Sequence, residues 1–446
     1  MDLIRKIYES GVVGAGGAGF PTHIKLDCSV EYLIINGAEC EPLLKTDQYL
    51  MRNKSVQLVE AAELVGELTG ASRIFFAIKK KYIREADSLR KEILEQGSKA
   101  EIFQLDSIYP AGDEHMLVYD ITGRTVPPGG IPLNTGVVVS NVNTIYNIYE
   151  ASQSRPVTSR YVTVTGEVRK PALVKAPLGT PVVDCIKAAG GTGLSDFNVI
   201  MGGPMMGKML SGRQINDRYI TKTDSGVIVI PQDHYLSNRA SVSIEHMINQ
   251  AKSACIQCSY CTDMCPRYLE GHKLRPHRIM RSISLGGDEK AVYTEAFLCS
   301  ECGICEMYAC PMGLSPRKIN IHIKGLLRSK GIKPANTPLD MGNTEMRAMR
   351  KVPVSRLINR LDMAAYDREI PDEVIEVRPC NLNVPLRQHI GIPAAPIVNC
   401  GDSVGFGQLI AVVEYGRLGA NIHAGIEGIV EAVSSDSILI NSLGQR

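Results

Sequence analysis

The 446 residues exceed what one hydrophobic core needs, and at about 150 residues per domain they allow roughly three domains or more. The 49 Lys and Arg nearly cancel the 47 Asp and Glu, so no global field selects a nucleic acid or an anionic membrane as partner. No window approaches eighteen uninterrupted apolar residues and the N-terminal Met-Asp-Leu-Ile-Arg-Lys lacks an apolar signal core, which predicts a soluble, cytoplasmic chain without a transmembrane segment.

In chain order, residues 1–155 carry short β-rich runs at 33–35, 74–78, 101–105 and 137–139, with helical patterns near 46–69 and 81–97 between them. That is βαβ punctuation and predicts an α/β domain. Ahead of the first run, Gly11, Gly14, Gly16, Gly17 and Gly19 fall within nine residues, and Lys25 follows closely. Successive glycines let backbone N–H groups converge on phosphate oxygens, with a lysine adding a point charge. The run does not follow a strand as a dinucleotide-binding fingerprint does, so on the glycines alone a phosphate cradle and a tight turn both stay open. Directly after the first run, Asn36, Glu39 and Glu41 stand where a parallel strand ends and α/β sheets bind ligands, although a capped turn is the plainer reading. Residues 156–240 read as strand, turn, strand, helix and a later strand at 227–230, the pattern of a small β-grasp module. The cysteines follow in 241–330 between helical segments, 331–372 is a mixed, charged connector, and 373–446 is a Gly-punctuated run of short strands fitting an all-β sandwich or barrel.

The cysteines are the hardest feature to explain away. Cys255, Cys258, Cys261 and Cys265 have the CxxCxxCxxxCP spacing of bacterial ferredoxins; Cys299, Cys302, Cys305 and Cys310 repeat it with one extra residue in the last gap. Three closely spaced thiolates wrap one iron–sulfur cube while the distant Cys-Pro closes a corner of the other. Cys255, Cys258, Cys261 and Cys310 are therefore expected to hold one [4Fe-4S] cluster, and Cys299, Cys302, Cys305 and Cys265 a second. Paired CxxC motifs also bind zinc, but a fourth Cys followed by Pro, twice, is not a zinc-ribbon habit. Such ligands require a reducing compartment. Cys28, Cys40, Cys185, Cys380 and Cys400 lack the spacing and read as small buried hydrophobes. Clusters take electrons singly whereas a nicotinamide delivers two as hydride, and a flavin between them resolves the mismatch.

Together, GAGGAGFPTHIK (14–25), INGAECEP (35–42), YPAGDEH (109–115) and SNVNT (140–144) resemble the FMN- and NADH-binding domain of respiratory complex I and of RnfC-like electron-transfer proteins. Module order, GGPMMG (202–207), CPRYLEGHKLRPH (265–277), LRQHIG (386–391) and LGANIHAGIEGIV (418–430) extend the resemblance over nearly the whole chain, to the PduS family of cobalamin reductases from propanediol-utilising microcompartments. The barrel-sandwich piece lies at the C-terminus, whereas in the Rnf membrane complex it usually precedes the flavin domain. The resemblance implies a multidomain α/β and α+β protein: an FMN/NADH-binding domain, a soluble-ligand-binding β-grasp (SLBB) module, a helical two-cluster ferredoxin module and a barrel-sandwich hybrid. It implies an NADH-dependent oxidoreductase that passes electrons through FMN and two [4Fe-4S] clusters to cobalamin. Its partners would be a corrinoid-handling enzyme such as an adenosyltransferase and the shell proteins of a bacterial microcompartment. The alternative is an RnfC-like relay feeding a membrane complex or a partner such as proline reductase.

Carried over by motif, Gly14, Gly16, Gly17 and Gly19 would line the FMN and NADH phosphates beside Lys25. Asn36, Asn141 and Thr144 would hydrogen-bond the flavin, and Glu39, Glu41 and Glu114 would be the catalytic residues shaping the nicotinamide face. Where complex I has an acidic residue two positions after the matching Asn, this chain has Ala38. His115 lacks the glycine of a corrinoid-binding D-x-H-x-x-G motif, His272 and His277 read as part of a solvated basic face, and no lysine marks a lipoyl-like hairpin tip at 424–428. The Met-rich turn at 201–209 with the Cys299–Cys310 region is the expected docking face.

Overall fold

The computed structural model describes residues 2–285, 290–334 and 345–443. Four strands, β1 (Tyr32–Asn36), β2 (Arg73–Lys79), β3 (Glu101–Leu105) and β4 (Val137–Asn141), form a wholly parallel sheet in the order β3-β2-β1-β4. Parallel strands are covered on both faces, which is why β1 reads as an unbroken apolar run. Leu33 and Ile35 pack into a core shared with the helices Ser55–Thr69 and Val142–Ser152, while Ile34 faces Leu117 and Val118 of the helix Glu114–Thr122. Strand order reverses between β1 and β4, where Asn36 is in register with Asn141. A ligand crevice forms at the carboxyl ends of strands where such a reversal occurs.

The glycine-rich segment lies between the helices Leu3–Glu9 and Thr22–Lys25 and is closed by a bridge between Val13 and Pro21. It is thus a self-closed loop laid against the sheet, and it does not grow out of a strand.

The second sheet has β5 (Ser159–Gly166), β6 (Ala172–Pro177), β7 (Phe197–Met201), β8 (Lys208–Ser211), β9 (Gly226–Pro231) and β10 (Val374–Glu376), ordered β10-β6-β5-β9-β7-β8. Strand β10 comes from beyond residue 372 and pairs in parallel with β6, so the β-grasp sheet is completed by a segment expected in the C-terminal module. The cysteine region packs helices Ile244–Ala254, Pro276–Leu285 and Pro316–Ser329 around Leu274, Ile279, Met280 and Ile319.

The stretch expected as a connector does more than connect. Val352–Pro353 pairs with Ile108–Tyr109, and the helix Val354–Arg360 buries Val354, Leu357 and Ile358 in one cluster with Tyr109, Met205 and Ile304. Flavin-type domain, β-grasp module and cysteine region therefore meet at one apolar wedge. Residues 335–344 of this stretch lie outside the described residues.

From Asn381 onward two small antiparallel sheets enclose Leu382, Val384, Ile410, Val430 and Ile440. This module clasps the N-terminal loop: the Tyr8 hydroxyl donates to the Val413 carbonyl at 2.5 Å and the Ile390 amide to the Ala18 carbonyl at 3.1 Å. Buried Lys222 donates to the carbonyls of Gly11 at 2.6 Å and Asn421 at 2.5 Å. Among the described residues no helix is long and apolar enough to cross a membrane.

Gly11 sits at φ +66°, and a Cβ there would lie 2.2 Å from the Asn421 carbonyl oxygen. Gly11→Ala should therefore loosen the clasp at a cost of about 1–3 kcal/mol, read as a lower Tm and faster proteolytic release of the C-terminal module.

Candidate functional site

A cleft of about 340 Å³ opens at the carboxyl ends of β1 and β4, within the range of small-molecule sites. Seven of the residues expected from sequence line it: Gly16, Gly17, Asn36, Glu39, Glu41, Glu114 and Asn141. Gly16 and Gly17 are exposed at its mouth, and a Cβ on Gly17 would meet nothing within 4 Å. Their backbone is open to a phosphate-bearing ligand, which fits a bound FMN.

The other four stand behind the walls. Gly14 closes the loop by donating to the Phe20 carbonyl at 2.9 Å, and Gly19, at φ +76°, packs against Thr223 and His389. Thr144 Oγ1 accepts the Ala15 amide at 2.9 Å, so it positions the loop from behind. Lys25 pairs with Glu114 at 3.1 Å on the rim and does not reach into the cleft.

The asparagines that line the cleft are engaged with their surroundings. Asn36 donates to the Gly112 carbonyl at 2.9 Å and accepts the Ala38 amide at 3.1 Å. Asn141 caps the helix Val142–Ser152 through the Asn143 amide and donates to Asp47 at 2.9 Å. Asp47 also accepts from Asn143 at 2.7 Å, and Asn143 accepts from Arg160 at 3.1 Å. Arg160 reaches the Ala15 carbonyl at 2.7 Å, fixing the glycine loop. Sequence reasoning missed Asp47 and Arg160, since neither belongs to a spaced motif. Cys40, assigned no role, lines the cleft and accepts the Gly112 amide at 2.6 Å; burial pushes its thiol up to about 12.

The acidic residues differ in kind. Glu39 is held well above the usual carboxylate range, first by burial and then by Asp47 and Glu41. Glu41 accepts the amides of Met205 and Met206 at 2.9 and 2.8 Å, tying the cleft wall to the β-grasp module. Burial raises Glu41 to about 7, partly opposed by those two amides. Glu114 stays on the exposed rim.

Cys255, Cys258, Cys261 and Cys310 line a single pocket together with His277 and Met312. Burial pushes the Cys261 thiol up to about 12, with Cys310, Cys255 and Cys258 adding to the rise. Burial raises the Cys265 thiol, with Cys302 and Cys299 adding to the rise.

The two parts share a wall. Cys302 and Ser300 line the cleft, and the Tyr109 hydroxyl donates to the Cys302 carbonyl at 2.7 Å. At the other end Cys258 is exposed beside Ile256, Tyr260 and Met312, whose exposures are 61%, 50% and 46%. Of the docking face expected at Cys299–Cys310 and the Met turn, Met206 is exposed and Cys299 half-buried, whereas Cys302, Cys305, Cys310 and Met205 are buried.

Because Glu41 lies near 7 in the fold against an ordinary 4.5, its contribution to stability is complete below about pH 4.5 and is lost as pH rises through about 7, at up to about 1.4 kcal/mol per pH unit. Infrared difference spectra should show a protonated carboxyl band that titrates near pH 7 and is missing from Glu41→Gln.

Comparison with known proteins places the same modules along the chain. Family models match for the Nuo51 FMN-binding domain at residues 7–150, the SLBB domain at 161–208, a 4Fe-4S dicluster domain at 254–315 and the RnfC barrel sandwich hybrid domain at 371–443. The cobalamin reductase PduS of Salmonella typhimurium is 40% identical over 443 residues, covering 98% of this chain and 96% of that protein. PduS of Citrobacter freundii is 39% identical over 437 residues, covering 98% and 95%. A component of the Na(+)-translocating ferredoxin:NAD(+) oxidoreductase complex of Acetobacterium woodii is 34% identical over 276 residues, covering 60% and 59%. With a flavin-type cleft, paired cysteine groups and a full-length relationship, the chain belongs to the PduS cobalamin reductase family.

Proposed function

We propose that this chain is an NADH-dependent cobalamin reductase in which NADH and FMN meet in the cleft and electrons leave by way of the cysteine groups. The observation that carries the reading is that Gly16–Gly17 and Cys302 line one cavity, so a hydride-accepting site and a one-electron site share a wall. FMN held there would supply the conversion of a two-electron hydride into single electrons, which matches clusters that take one each and would support two one-electron reductions of cobalt per NADH.

The residues of the chain have separable tasks. Ala15, held by Thr144 and Arg160, fixes the loop whose Gly16 and Gly17 amides bind phosphate. Glu39 and Glu41 border the nicotinamide side, and the high proton affinity of both limits negative charge next to a hydride donor. Cys299, Cys302, Cys305 and Cys265 would hold the cluster beside the cleft, and Cys255, Cys258, Cys261 and Cys310 the one at the surface. The exposed Ile256, Tyr260 and Met312 surround that outer site and form the face offered to the corrinoid or to a corrinoid-handling enzyme such as an adenosyltransferase. A place within a propanediol-utilising microcompartment, in contact with its shell proteins, belongs to the same reading.

In anaerobic assays, Cys302→Ala should keep NADH-dependent bleaching of the flavin and lose most cob(III)alamin reduction. Equal cobalamin reduction by variant and parent would mean that the flavin supplies the acceptor directly. Cys310→Ala should remove the electron paramagnetic resonance signal of the outer cluster and leave that of the inner one; loss of only the inner signal would reverse the ligand assignment.

A further inference from the structure

Away from the cleft floor and the cysteine groups, three side chains from two modules converge, each with one buried polar atom left without a hydrogen-bond partner. Helix Glu114–Thr122 is capped by Asp113, whose carboxylate accepts the His115 amide at 3.0 Å and fixes the position of His115. The same carboxylate is gripped by Arg267 at 2.6 and 2.9 Å, which draws the segment after Cys265 against this helix. There Gly271, at φ +88°, turns the chain back so that Glu270 and His272 face one point.

The ligand atoms of His115, Glu270 and His272 lie within 4.8 Å of one another, and this is the one such His, Cys, Asp or Glu group among the described residues. Glu270 and His272 are each 1% exposed. His115 Nδ1, Glu270 Oε1 and His272 Nδ1 are all buried without a hydrogen-bond partner. Three such atoms in one place are costly unless something binds them. The His272 tautomer is also set: Nε2 lies 2.9 Å from the Val126 carbonyl and must donate to it, which leaves the Nδ1 lone pair facing the group. A ring nitrogen donating to a backbone carbonyl while the other faces inward is the usual outer shell of a metal-bound histidine. Glu270 is steadied through its other oxygen, which accepts from Arg267 at 3.2 Å.

We propose that His115, Glu270 and His272 bind one divalent transition-metal ion of the Zn²⁺ class. Two neutral imidazoles and a carboxylate are the donor set for such an ion, at about 2.0–2.2 Å from each ligand, a distance reached here by small side-chain movements. His115 belongs to the flavin-type domain, whereas Glu270 and His272 follow Cys265 in the cluster module. The ion is thus a cross-brace: it pins the helix whose first residue, Glu114, lines the cleft to the segment that carries Cys265. This role is positional, and it does not depend on which acceptor the protein reduces.

The test uses full-length protein purified anaerobically, with flavin and about eight irons verified, then stripped with a mild chelator and offered one equivalent of Zn²⁺. One zinc per chain should be retained, and its K-edge X-ray absorption should show nitrogen and oxygen neighbours at about 2.0–2.1 Å with imidazole outer-shell scattering. Glu270→Gln and His272→Gln, at unchanged iron content, should weaken zinc binding by at least the roughly 10–100-fold that loss of an outer-shell partner causes. Fully loaded parent protein that retains no zinc would overturn the proposal and leave a buried water as the occupant. So would a sulfur shell at about 2.3 Å, or unchanged zinc affinity in both variants. Because the spectrum of the parent decides by itself, a variant that fails to fold leaves the test intact.

Discussion

The organisation of the cleft depends on one buried cation. Arg160 enters from the first strand of the β-grasp module, is 2% exposed, and reaches the Asp224 carbonyl, Asn143 Oδ1 and the Ala15 carbonyl. Burial lowers its pKa to about 10, and the nearby carboxylates of Asp47, Asp224 and Glu39 oppose that fall. Its hydrogen bonds all go to neutral oxygens, and leaving a buried acceptor unsatisfied costs about 1–3 kcal/mol, so Arg160 and the groups it holds act as a unit. Through that unit the β-grasp module, which carries no reactive group of its own at the cleft floor, sets the position of the glycine loop.

The same logic of modules bracing one another recurs at each boundary. Glu41 reaches out of the flavin-type domain to hold the turn at Met205–Met206, and Tyr109 reaches the Cys302 carbonyl. The C-terminal module holds the outer side of the glycine loop through Ile390 and, by way of Lys222, through Asn421. Electron transfer between sites requires short, fixed separations, and these contacts set them without lengthening the path. Cys302 is buried beside the cleft and Cys258 is exposed at the far end, so the path proposed above would run from cleft to surface.

Much of the site was legible in the residues, though their tasks were less so. Asn36, Asn141 and Thr144 were expected as direct ligands to a flavin, and in the fold their side chains also engage the Gly112 carbonyl, Asp47 with the Asn143 amide, and the Ala15 amide. Lys25 was expected at the phosphates and instead pairs with Glu114 on the rim. A motif records which residues stand near a site; it does not record whether a side-chain amide points into the cavity or back into the wall, because that choice is made by partners distant in sequence. Asp47 and Arg160 illustrate the complement, being central to the geometry but separated by more than a hundred residues and marked by no spacing.

Local pattern was enough for the βαβ alternation of the first domain, the order of the modules and the two cysteine groups, because each is written in periodicity or spacing. A two-residue gap between cysteines can wrap a cube whatever surrounds it, and a continuous apolar run needs cover on both faces wherever it sits. Long-range packing was needed to make 352–360 a wedge, to complete the β-grasp sheet with β10, to turn Cys258 and not Cys302 outward, and to bring His115 to Glu270 and His272. Those outcomes depend on contacts between segments far apart in the chain, where burial and hydrogen-bond satisfaction across module boundaries select the arrangement and the residues nearby in sequence carry no trace of it.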